Sequence, residues 1–115
     1  MSGKFCHEKM SIFYTKHVRA ENNRLEFLLV NFDYYDGNDM LARLFEEEYG
    51  MKAEPKFDGI YYSVTRLRSD DTEYVLVWHE DVGNYLYSVE QKPETLELLE
   101  TRLRSSIKRL NDILR

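Results

Sequence analysis

The chain has 115 residues, of which 43% are hydrophobic, 14% aromatic and 32% charged, and 16 basic against 21 acidic residues leave a net charge of -5. That composition suits one continuous core in a single domain, residues 1–115, and excludes a disordered chain. Cys6 is the only cysteine, which excludes an internal disulfide and a cysteine-rich zinc site. No apolar run approaches the about 20 residues that cross a bilayer, so a cytoplasmic, reducing location is expected.

In chain order, "MSIFYTK" alternates Met10, Ile12 and Tyr14 against Ser11, Phe13 and Thr15 and predicts a strand. "AENN" supplies a turn. "RLEFLLVNF" fits two periods: Leu25, Leu28, Leu29 and Phe32 have helical spacing, whereas Leu25, Phe27 and Leu29 alternate. The preceding turn and the shortness of the run favour a strand that closes a hairpin. "DGNDMLARLFEEEYG" predicts a helix, with Asn38 or Asp36 capping its free amides, Asp39 at the positive end of its dipole and Gly50 in the left-handed conformation after it. Leu41, Leu44 and Phe45 would then face the core, and "MKAEPKFDG" follows as loop.

"IYYSVTRL", "EYVLVWH" and "NYLYSVE" predict three strands, and their short polar connections predict antiparallel neighbours. At the second connection Gly83 would supply unusual backbone angles and Asn84 would tolerate them. In "KPETLELLETRLRSSIKRLNDILR" the apolar residues Leu96, Leu99, Leu103, Ile107, Leu110 and Leu114 recur at helical spacing, with Pro93 in the first turn. The expected architecture is α+β: an antiparallel sheet of four to five strands with two helices, including this long amphipathic one, packed on one face. The other face stays open, and strand alternation puts Tyr74, Leu76 and Trp78 on one side and Val75, Val77 and His79 on the other.

Charge is unevenly spread. Between Asp33 and Asp58 eight acids stand against Arg43, Lys52 and Lys56, a local charge of -5. Such a field repels phosphate backbones and anionic lipid and speeds association with basic partners, so direct nucleic-acid and membrane binding are not expected. Solubilising charge is the plainer use of the same residues.

Chemical signatures are few. "HEKMS" at His7 starts like a zinc-protease motif but has Ser11 where the second histidine belongs. His7, His17 and His79 lack the ligand spacing of a strong zinc site, and no phosphate-binding or esterase motif is present; no metal and no cofactor are expected. His79 with Glu80 and Asp81 could form an acid/base group, but adjacent residues at a hairpin tip point apart, and a polar turn explains them as well. No catalytic residue is assigned and the chain is not expected to be an enzyme.

Tyr34, Tyr35, Asp33 and Asp36 in "NFDYYDGND" offer rigid contact surface beside acceptors for a partner's lysines or arginines, and Asp58, Tyr61 and Tyr62 in "EPKFDGIYYS" add to them. Inward packing of one tyrosine ring is the structural alternative. Trp78, His79, Glu80, Asp81 and Tyr85 complete the expected partner-binding set.

"FDGIYYSV…EYVLVWHEDVGNYLYSVEQ", preceded by "NDMLARLFEEEYG", resembles the small acidic immunity proteins that bacteria carry beside polymorphic or contact-dependent toxins. The resemblance spans about residues 33 to 91. It implies a cytoplasmic, non-enzymatic α+β inhibitor that binds and neutralises a basic toxin, commonly a nuclease. A phage or mobile-element antagonist that mimics DNA charge, a small enzyme using His79, and a homodimer formed through the tyrosine-rich sheet face are the other readings.

Overall fold

The computed structural model describes residues 10–114, and all of its strands join one antiparallel sheet. The elements are β1 (Phe13–Arg19), β2 (Arg24–Val30), α1 (Gly37–Tyr49), β3 (Lys52–Ala53), β4 (Phe57–Asp58), β5 (Tyr62–Arg68), β6 (Glu73–His79), β7 (Gly83–Ser88) and α2 (Pro93–Ile113). Strand order is β1-β2-β7-β6-β5-β3, with β4 also paired to β5.

The fold is thus α+β, as expected, but the sheet has seven strands rather than four or five. Both extra strands, β3 and β4, are two residues long and lie within "MKAEPKFDG". Runs that short carry no readable alternation; pairing with β5 makes them strands. The first strand begins at Phe13 rather than Met10, and the ambiguous "RLEFLLV" is a strand. Asn23 and Asn31, both at positive φ, turn the chain before and after β2, a conformation asparagine tolerates better than most residues.

Alternation divides the sheet residues between two sides, although Val75 and Val77 on the side without helices are buried as well. Phe27, Leu29, Leu67, Tyr74, Leu76 and Leu86 point to the helices and are buried with Leu41, Leu44 and Phe45 of α1 and Leu99, Leu103, Ile107 and Leu110 of α2. The face predicted for α2 is therefore the one it buries. Arg102 of α2 donates to the hydroxyl of Tyr74 at 3.1 Å, so the one tyrosine fully inside the core has its polar end satisfied.

Gly50 ends α1 in the left-handed conformation at φ 65°, as expected. The other end departs from expectation. Asp36 is the N-cap residue but makes no side-chain capping bond, and Asn38 is buried without a hydrogen-bond partner among the described residues. Gly37 begins the helix where no side chain fits: a Cβ there would lie 2.6 Å from Asn84 Nδ2 and 2.9 Å from Phe32 Cε2. Gly37→Ala is expected to cost about 1–2 kcal/mol by overpacking, read as a lowered midpoint in thermal unfolding.

Candidate functional site

One end of the sheet gathers the start of α1, the β4–β5 hairpin and the β6–β7 turn. Asn84 organises it. Its Nδ2 donates to the carbonyls of Phe32 and Tyr34 at 2.9 Å each, so the residue expected to relax a turn instead holds the chain between β2 and α1. Gly83, at φ 92°, does shape the turn as expected. A side chain there would also come within 3.0 Å of the Asp33 Cβ, which shows how closely the turn abuts that segment.

Trp78 lies on the helix side of β6, half-buried at the margin of the core. Its indole N–H donates to the Asp33 carbonyl at 3.1 Å, and Tyr35 packs edge-on against its ring with centroids 5.2 Å apart. The Tyr35 hydroxyl donates to Asp58 Oδ1 at 2.7 Å. Lys56 Nζ sits 3.9 Å from the centre of the Tyr35 ring and 3.3 Å from Asp39. The bond to Asp58 holds the Tyr35 hydroxyl above the ordinary tyrosine pKa, because Asp58 accepts the proton that ionisation would remove. Of the expected contact residues, Asp58 is therefore already engaged by Tyr35, and Trp78 presents only part of its surface.

Asp33, Tyr34, Asp36, Tyr61, Glu80 and Asp81 are exposed at the same end. The turn and the hairpin are tied together, since the Glu80 N–H donates to the Tyr61 carbonyl at 2.9 Å and the Gly59 N–H to the Tyr62 carbonyl at 2.7 Å. This pinned hairpin thrusts out apolar surface that sequence reasoning passed over, for Ile60 is 86% exposed and Phe57 is exposed near it, beside Tyr62, whose ring the sequence did place at this tract. The signal was available in "FDGIYY", where a β-branched apolar residue follows a turn glycine.

His79 and Tyr85 belong elsewhere. They lie on the open side of the sheet, opposite to Trp78, because successive strand residues alternate. The expected partner set is thus divided between two faces, and the step from Trp78 to His79 crosses the sheet. His79 Nδ1 accepts the Asp81 N–H at 3.1 Å, which makes it part of its own turn.

On that open side His79 and Tyr85 line a concavity of about 430 Å³ with His17, Arg19, Glu26, Leu28 and Val82. Glu26 is only 4% exposed although it lies on the side without helices. Arg19 Nε and Arg24 Nη2 donate to its Oε2 at 2.9 and 2.6 Å, Arg19 Nη2 reaches Oε1 at 3.3 Å, and the Arg24 guanidinium lies 3.6 Å from the centre of the Tyr87 ring. Burial alone would push the Glu26 carboxyl up, but the hydrogen bonds and charges of the two arginines outweigh it and hold the pKa below the ordinary carboxylate value. The Tyr85 hydroxyl is pushed up by burial and by the nearby Glu26 charge.

Arg19, Arg24 and Glu26 were not singled out in the sequence, and His17 only as a histidine without zinc-ligand spacing. Arg24 and Glu26, two apart in a strand, share a face, and a charge within an apolar run was the available cue. His7 and Cys6 lie outside the described residues. Among the described residues no group of three or more His, Cys, Asp or Glu could hold a metal ion, and no helix is long and apolar enough to cross a membrane.

Comparison of the chain with protein-family models, with curated proteins and with solved structures finds no match.

Proposed function

We propose that the protein is a non-enzymatic inhibitor of the immunity type, which neutralises a basic protein toxin, a nuclease in the favoured case, through the acidic aromatic end of its sheet. The observation that carries this reading is the convergence there of exposed Tyr34, Tyr35, Phe57, Ile60 and Tyr61 with exposed Asp33, Asp36, Glu80 and Asp81 from three separate segments. Rings supply desolvated contact area and the acids supply attraction and register. The scaffold also suits recognition, because Trp78, Asn84 and Asp58 fix the backbone and rings before a partner arrives, which lowers the ordering cost of binding.

A protein partner is favoured over the role of DNA mimic. Asp39 is paired with Lys56, and Glu48 with Arg109, so the negative charge of α1 is interrupted rather than set out in phosphate-like rows.

The test mixes the purified protein with the basic product of the gene adjacent to its own and follows both nuclease activity and association kinetics. A one-to-one complex is expected, with nuclease activity lost on complex formation. The association rate should fall about tenfold or more from low to high salt, and Asp33→Asn with Asp36→Asn should flatten that dependence. Binding without loss of activity would remove the inhibitor reading, and a salt-independent association rate would remove the steering role of the acids.

A further inference from the structure

The concavity on the open side of the sheet shares the β6–β7 turn with the acidic aromatic end, through Val82, but offers different chemistry. Its wall is apolar at Leu28, Val82 and the Tyr85 ring, and its polar groups are His17, His79, Arg19 and Glu26. A volume of about 430 Å³ falls within the range of small-molecule sites.

Hydrogen-bond polarity decides the class of occupant. Among the described residues Glu26 has the only carboxylate in the lining; it is almost fully buried, its Oε2 accepts from Arg19 and Arg24, and its Oε1 accepts from Arg19 at 3.3 Å. A cationic or donor-rich ligand would find that acceptor occupied. Donors remain in good supply. Because His79 Nδ1 accepts the Asp81 N–H, the neutral ring carries its proton on Nε2, where it can donate. His17 adds a second imidazole, Tyr85 a hydroxyl, and Arg19 further N–H groups, since a guanidinium has five. Charge agrees with this polarity, for two guanidiniums surround one buried carboxylate. Glu21, the other acid near them, stands 3.7 Å from Arg19 with its side chain 76% exposed to screening water.

We propose that this concavity binds a small aromatic carboxylate, its ring against Leu28, Val82 and Tyr85 and its carboxylate accepting from His79, His17 and Arg19. The buried Glu26 keeps Arg19 in place, and so acts as a positioning residue for the site rather than a contact.

The test follows the ring protons of His17 and His79 by NMR in the full chain while indole-3-acetate is added, with tryptamine and inorganic phosphate in parallel. Tryptamine keeps the indole and replaces the acid with an amine; phosphate keeps the anion without the ring. Indole-3-acetate is expected to give saturating shifts at both histidines, with tryptamine and phosphate at least about tenfold weaker. Val82→Trp, at a half-exposed position of the turn, should fill the concavity and abolish the shifts while the remaining spectrum stays that of the folded protein. Absence of saturation with indole-3-acetate, equal or tighter binding of tryptamine or of phosphate alone, or unchanged binding by the Val82→Trp protein would each overturn the assignment.

Discussion

Asn84→Ala is expected to destabilise the protein by about 2–3 kcal/mol, and to loosen the acidic aromatic end more than the rest of the fold. Asn84 is 0% exposed and its side-chain amide serves the carbonyls of Phe32 and Tyr34. Each hydrogen bond contributes about 1 kcal/mol net, and a carbonyl left buried and unpaired adds a desolvation penalty of similar size. A loss of that size lowers the unfolding midpoint by about 8–15 °C for a domain of this length. The sole tryptophan makes the local effect measurable: Trp78 holds the Asp33 carbonyl and touches Tyr35, so its emission reports on the segment that Asn84 anchors. The variant should show altered tryptophan emission well below its melting temperature. Asn84→Asp is the sharper control, because it keeps the shape but sets carboxylate oxygens against two carbonyls. If the alanine variant melts within about 0.5 kcal/mol of the parent, the value typical of an ordinary surface change, Asn84 does not organise this end.

The same asparagine shows where sequence reasoning stopped. Period and turn chemistry were enough for β6, whose range Glu73–His79 matches the predicted strand, and for the buried stripe of α2, because both depend on neighbours in the chain. Asn84 next to Gly83 looks like turn chemistry too. Its actual partners are 50 and 52 residues away, and no local pattern encodes them. Asp58 and Lys56 follow the same logic: composition marks them as members of an acidic block, but only the fold places Asp58 under the Tyr35 hydroxyl and Lys56 between that ring and Asp39. The division between Trp78 and His79, by contrast, was legible, since strand alternation alone separates them. What alternation could not supply was which side the helices cover, because Tyr74, Leu76 and Trp78 on one side of β6 and Val75 and Val77 on the other are all apolar or aromatic. Burial of Tyr74 and Leu76 against α1 and α2 decided it, and it is the aromatic bulk of Phe45, packed edge-on to Tyr74 at 5.8 Å, that fills that side.

Glu26→Gln is expected to cost about 2–3 kcal/mol at neutral pH, with the difference from the parent shrinking as the solution is made acidic. Removing one member of a buried ion pair costs about 3–5 kcal/mol where the remaining charge is sealed from water. Here the Arg19 and Arg24 side chains keep 33% and 25% exposure, so water recovers part of that penalty. Glutamine preserves the shape and one acceptor, which leaves the lost charge as the main change. The pH dependence follows from linkage. The folded pKa of Glu26 is lowered from its ordinary value of 4.5, so its ionised form stabilises the fold fully above that value. That contribution is lost as pH falls through the folded pKa, where the native carboxyl takes up its proton and resembles the amide that replaces it. Urea unfolding of both proteins at neutral pH and at successively lower pH reads the two free energies on the same scale. Convergence of the two stabilities in acid is the expected result. A constant gap would assign the loss to packing instead of charge, and a gap that widened in acid would contradict the lowered pKa itself. The same pair of proteins separates two roles of Glu26 on the open face. If it holds Arg19 for a ligand, the amide variant should bind indole-3-acetate more weakly even at pH values where the folded fraction is unchanged.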